Sequence, residues 1–181
     1  MIICGVDPGK VGAFAFYDPY KNKIIKVIDM PTLNTSKVKG KIKTTISWPT
    51  LAEQLRSIDD HYGNDDIRVY LELVHAMPKQ GVSSSFVFGR GFGGVEALVA
   101  AFQWSLYYVT SPVWKRHFGL GPDKEAARAK ASQILPSDTP LWTPRRGEVN
   151  KAQCEGRAEA ALIAVYGSKQ LGQNQRGRVR L

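Results

Sequence analysis

Four acidic residues stand where an acid needs an explanation: Asp7, Glu72, Glu155 and Glu159. Asp7 closes the apolar run IICGV and precedes Pro8 and Gly9, while Glu72 lies inside IRVYLELV among β-branched and aromatic neighbours. A carboxylate in a low-dielectric interior must be neutralised, hydrogen-bonded or bound to a metal, because burying an isolated charge is expensive. Taken alone, Asp7 reads equally as the start of an Asp-Pro-Gly turn. Glu155 and Glu159 are four apart and share one face near the start of the last helical run; alone they read as solvent-facing acids paired with Lys151 or Arg157. Together the four make an oxygen-rich set suited to hard cations such as Mg²⁺ or Mn²⁺. Two such ions can hold a phosphodiester, activate a water and stabilise the leaving oxygen.

Positioning these acids requires particular elements. Residues 2–6, VGAFAFYD (11–18) and NKIIKVIDM (22–30) read as three successive strands joined by the DPGK and DPYKN turns, an antiparallel meander. The stretch PTLNTSKVKGKIKTTIS reads as a basic loop insertion over about 32–47, whose Lys37, Lys39, Lys41 and Lys43 either meet phosphates or solvate a linker. WPTLAEQLRSIDDHY (48–62) has helical spacing of Leu51, Leu55 and Ile58 with Pro49 in the first turn. A fourth strand, 67–74, carries Glu72. It is followed by a glycine-interrupted segment passing into a helix (83–104), a strand (105–111), the basic aromatic stretch PVWKRHFGLG and a helix (122–135). A loop (136–150), a long helix (150–170) and a basic tail (172–181) complete the chain. This order describes an α/β sheet of mixed direction with crossover helices in its second half, and acids on the first and fourth strands converge in such a sheet.

Composition narrows the partners. The 181 residues suit one domain over 1–181, and 25 Lys plus Arg against 16 Asp plus Glu, a formal charge of +9, favour a polyanion such as nucleic acid. Cys4 and Cys154 form no metal-spaced cluster and suggest a reducing compartment. No apolar run approaches the roughly 20 residues of a membrane span, so a soluble, cytoplasmic protein is expected, without membrane contact.

GRGFGG formally satisfies GxGxxG, but no strand directly precedes it and Trp114 falls near the expected acid, so a dinucleotide is rejected and no small-molecule cofactor is expected. The glycines and Ser83 and Ser84, opening a helix, instead offer backbone N–H groups to phosphates, with Arg90 as a further phosphate contact. Phe86, Phe88 and Phe92 either stack on bases or fill the core or a dimer interface, with packing expected for two of the three. His75, three residues beyond Glu72, falls on the opposite face of a continuing strand and reads as a structural histidine.

In this order, GVDPGKVGAFAF, LELVHAMPKQGVSSSFVFGRGFGG, SPVWKRHFGLGPDKEAARAKA and EGRAEAALIA resemble the RuvC-type Holliday junction resolvases, most closely the phage RuvC-like and organellar branches. The resemblance covers nearly the whole chain apart from the lysine-rich insertion. It implies an RNase H-like fold, a mixed five-stranded sheet flanked by helices. It further implies a homodimer on four-way or other branched DNA and paired nicks leaving 5′-phosphates, with two Mg²⁺ or Mn²⁺ ions per site. Asp7, Glu72 and Glu159 match the catalytic acids. Glu155 stands at or beside the place where the family has aspartate before the glycine, and a longer side chain there alters metal geometry. Lys124 matches a lysine that assists the chemistry at the scissile phosphate, Lys115 a second basic position near the DNA; Lys79 and Arg116 join the DNA-binding set. The alternatives are a junction-binding architectural protein with weakened cleavage and an RNase H-like nuclease acting on RNA–DNA hybrids.

Overall fold

The structure, a computed structural model, describes residues 1–38, 41–63, 66–74, 81–121, 123–145 and 150–171. Three apolar runs form β1 (Ile2–Val6), β2 (Ala13–Asp18) and β3 (Lys23–Asp29), with β1–β2 and β2–β3 antiparallel, as their short connections require. The lysine-rich segment departs from its reading as a loop: it forms β4 (Thr32–Val38) and β5 (Lys41–Ile46), an antiparallel ribbon in a sheet of its own. Its threonines, isoleucines and valine favour extended backbone, and the two strands satisfy each other's hydrogen bonds.

Helix α1 (Trp48–Tyr62) buries Leu51, Leu55 and Ile58, then β6 (Ile67–Leu73) pairs parallel with β1. Helix α2 (Val82–Ala101) leads into β7 (Ser105–Thr110), parallel to β6, and gives the sheet order β3-β2-β1-β6-β7. The GRGFGG glycines lie inside α2, which is helical from Val82. PVWKRH belongs to a short helix, α3 (Ser111–His117), followed by α4 (Lys124–Ile134), a 3₁₀ segment over Pro136–Trp142 and α5 (Lys151–Lys169).

The sheet is covered on both faces. Cys4, Val6, Phe14, Phe16, Val69 and Leu71 pack against α1 and α2, whereas Ile3, Ala13, Ala15 and Tyr70 pack against α5 and its neighbours. Alternation along each strand thus assigns the faces, and Asp7, continuing the odd positions of β1, and Glu72, continuing the even positions of β6, come out on the α5 side. Cys4 and Cys154 are buried free thiols on opposite faces. Among the described residues no helix is long and apolar enough to cross a membrane.

Candidate active site

Asp7 belongs both to the turn and to a group of neighbouring carboxylates. Its backbone N–H donates to Ala13 O at 3.1 Å, Gly9 N–H donates to its Oδ1 at 3.1 Å, and Gly12 N–H donates to Gly9 O at 2.9 Å, closing the DPGKVG turn. Helix α5 is seated against this turn through residues that have no side chain. A Cβ on Gly156 would lie 2.3 Å from Val11 O, and one on Gly5 2.1 Å from Ala160 O. Helix and strand therefore approach at backbone distance, and Glu159, one turn beyond Glu155, arrives beside Asp7. The start of α5 is closed by a capping box between Asn150 and Gln153, and Arg157 grips Asp29 with both fork nitrogens (2.6 and 2.5 Å) while donating to Leu141 O at 3.0 Å.

Glu72, 7% exposed, completes the group from β6. Trp114 Nε1–H, fully buried, donates to Glu72 Oε1 at 2.9 Å, and the Ser111 side chain adds a second hydrogen bond. Ser111, Trp114 and Lys115 are three and four apart on α3, which follows β7 directly and so presents all three towards the neighbouring β6. Lys115 Nζ pairs with Glu159 Oε1 at 3.0 Å and lies 5.1 Å from the centre of the Trp114 ring.

The electrostatics are those of buried carboxylates that also feel one another's charge. Burial first, then the charges of Glu159 and Glu72, push Asp7 up to about 7, against opposing pulls from the Gly9 N–H and the Lys115 ammonium. Burial also raises Glu72; the hydrogen bonds from Trp114 and Ser111 and the Lys115 charge hold it back, and Glu159 adds to the rise. An all-carboxylate donor set of this kind fits a hard divalent cation, whose charge relieves the crowding. Among the described residues no three His, Cys, Asp or Glu side chains are gathered tightly enough to hold an ion as they stand. Lys115 holds Glu159 and Trp114 holds Glu72, and the ammonium supplies the positive charge between them.

The other expected residues fall in different places. Glu155 is half-buried, but the charges acting on Asp7 are those of Glu159, Glu72 and Lys115; the Glu155 carboxylate acts on Lys151 and Cys154 instead. Four residues put it on the same face as Glu159 but about 6 Å back along the axis, at the Gly156 contact. Its expected partners are engaged elsewhere, Lys151 with Glu125 and Arg157 with Asp29. Cys154 is buried in the α5 core and contributes no ligand position.

Lys115, expected at the DNA, belongs to the acid cluster. Lys124 heads α4, and its side chain lies outside the described residues, as do Lys79 and His75. Arg116 is exposed on α3; Ser83 and Ser84 are exposed in the first turn of α2, and Arg90, also exposed, lies 6.0 Å from the Phe86 ring centre. Of the phenylalanines, Phe92 stacks on Tyr108 at 6.2 Å, Phe88 is partly buried and Phe86 is 66% exposed. Trp114 and Ser111 were not expected from the sequence as contributors. The signal available was their spacing with Lys115.

The mixed five-stranded sheet, antiparallel then parallel, with α5 across β1, defines an RNase H-like fold. It is the fold of RuvC. A Thermus thermophilus RuvC structure in complex with Holliday junction substrate has a TM-score of 0.59 at 12% identity, over 99% of this chain and 99% of that one. A second Thermus thermophilus RuvC structure gives 0.50 at 11% identity, over 94% of this chain and 96% of that one. No family model and no curated protein matches the sequence.

Proposed function

We propose that the protein is a structure-selective endonuclease that resolves four-way DNA junctions by paired nicks leaving 5′-phosphates. The observation that carries this reading is the convergence of Asp7, Glu72 and Glu159 around Lys115 on a RuvC-like scaffold. Asp7, Glu72 and Glu159 would hold two Mg²⁺ or Mn²⁺ ions, with Glu155 at the margin of the set. Bound there, the ions supply the charge that holds a phosphodiester and lowers the pKa of an attacking water. The chain's own residues orient and neutralise: Trp114 and Ser111 fix the Glu72 carboxylate, and the Lys115 ammonium, with Lys124, meets negative charge developing on the phosphate.

A homodimer matches the two-fold symmetry of a junction and brings one site to each of two opposed strands. The uncovered Val82, Phe86 and Val87 on α2 support an apolar contact between copies. Arg90, Ser83, Ser84, Lys79 and Arg116 would hold the DNA backbone. One domain over the whole chain and action inside the cell accord with this reading.

The test is incubation of the protein with a synthetic mobile four-way junction and Mg²⁺ or Mn²⁺, beside Glu72→Gln and beside linear duplex and RNA–DNA hybrid. Paired symmetric nicks by the wild type, lost on chelation and in Glu72→Gln with binding retained, are expected. A second reading, a junction-binding architectural protein, is favoured by the position of Glu155 outside the cluster and by the Lys115 grip on Glu159. Tight binding of the junction without cutting by wild type and variant alike would establish it. Preferred cutting of the hybrid would make the protein an RNase H-like nuclease instead.

A further inference from the structure

The β4–β5 ribbon takes no part in the site, yet it is rooted on the turn that holds Asp7. Ile46 is buried, Ser47 N–H donates to Pro31 O at 2.8 Å, and Met30 N–H donates to Gly12 O at 3.1 Å. Lys10, in the same turn, reaches Thr44 Oγ1 at 3.4 Å and Thr44 O at 3.5 Å. Beyond this root the described side chains of the ribbon cover nothing: Leu33 is 42% exposed, and Asn34, Thr35, Ser36, Lys37 and Lys43 are all exposed. A lone two-stranded ribbon is marginal in water, and its outer edges offer unpaired backbone to any chain that approaches.

Its charge identifies the occupant. From 32 to 47 the sequence has no Asp or Glu and carries lysine at 37, 39, 41 and 43, every second residue. Lys10 and Arg90 line one small cleft with Thr45, Trp48 and Val87, so the positive charge continues from the ribbon root onto α2. Apolar side chains that would make the ribbon a docking surface for a protein are few, and nothing on it attracts a cation.

We propose that the β4–β5 ribbon is a DNA arm, which lies along one duplex arm of the substrate and holds its phosphates through Lys37 and Lys43, with Lys10 and Arg90 continuing the contact towards Asp7. The inference rests on the nuclease reading and deepens it, by naming a duplex contact outside the crossover. A two-stranded ribbon is narrow enough for the major groove, roughly 12 Å wide, and lysines acting as point charges grip backbone without reading sequence.

The experiment compares wild type, Lys37→Gln/Lys43→Gln and Lys37→Arg/Lys43→Arg, metal-free, on a four-way junction and on linear duplex, from about 50 to 300 mM salt. Each phosphate contact contributes about 0.9 to the slope of log affinity against log salt, so the Gln pair should flatten the slope by about 2 for each subunit whose ribbon lies on DNA and weaken binding several-fold. The Arg pair should bind as wild type, and the melting temperature and sedimentation should be unchanged. An unaltered slope in the Gln pair overturns the arm, as does a loss that follows a change from dimer to monomer, which would make the occupant a second copy. Wild-type preference for linear duplex, with the slope still flattened in the Gln pair, overturns the resolvase reading and leaves the arm standing. No binding of either DNA by the wild type overturns both.

Discussion

Helices α5 and α2 are nearly equal in length, 19 and 20 residues, and both are rich in glycine and alanine, but they meet the sheet on different terms. From Ala158 to Val165 every residue of α5 except Glu159 is buried. Helix α2 buries Gly91, Val95 and Val99 and leaves Val82 87%, Phe86 66% and Val87 46% exposed. Small residues on α5 serve contact: Ala160 and Ala164 press their backbone onto Gly5, and a helix seated that closely cannot drift. In α2 only Gly94 is pressed as closely, against the Trp48 ring, whereas an added Cβ on Gly89 or Gly93 would meet nothing within 4 Å. The same composition thus marks a rigid mount for acids in one helix and an uncovered surface in the other.

Gly5→Val should break the first half of this comparison most severely. Its Cβ would overlap Ala160 O and the Ala164 backbone, neither of which can step aside, and a loss of about 3 kcal/mol or more is expected in urea unfolding. The matching change Gly89→Val in α2 meets open space and, valine being the better helix former, should be neutral or stabilise by up to about 0.5 kcal/mol.

Asp7→Asn sharpens the point that the mount holds charges under strain. The folded-state value of about 7 exceeds the ordinary 3.8, so between the two the folded chain keeps a proton that the unfolded chain has released. The metal-free protein therefore loses stability as pH rises from about 4 to about 7. The Asn variant should lack that loss, being more stable than wild type at about pH 8 by up to about 4 kcal/mol and equal to it below about pH 4. Melting curves across pH check this; a wild type as stable as the variant at alkaline pH would contradict the placement of Asp7.

Trp114→Phe keeps an aromatic side chain, removes the N–H and leaves part of the buried indole volume empty, which adds its own cavity cost. Loss of the bond to Glu72 should cost about 1 to 2 kcal/mol and move the Glu72 carboxyl further up, shifting the rise of the pH–rate profile for nicking to higher pH. The smallest effect is expected on α2. Phe86→Ser should change stability by no more than about 0.5 kcal/mol while weakening self-association in sedimentation.

The parts of the molecule legible in the sequence are those with a local cause. β1, β2, β3 and β6 announce themselves by apolar and β-branched runs, α1 by the spacing of Leu51, Leu55 and Ile58, and Asp7 and Glu72 by being acids within such runs. The ribbon escapes that reading because apolar periodicity reports a buried face, and of the described side chains in β4 and β5 only Ile46 is buried. The Trp114 contact escapes it because it depends on β7 lying beside β6, with Val109 opposite Glu72 across 37 positions of sequence. Glu155 illustrates the converse: helical spacing reports a shared face and is silent about reach along the axis.

The Arg157 clamp has a consequence for how this chain tolerates change in length. Each residue turns a helix by about 100°, so Arg157 points roughly opposite to Glu159, and its double grip on Asp29 indexes the rotation of α5 against the far edge of the sheet. Residues added or lost ahead of Gly156 leave that index in place. A single residue inserted between Arg157 and Glu159 swings the carboxylate a quarter turn out of the site while every core contact downstream is forced to choose between two registers.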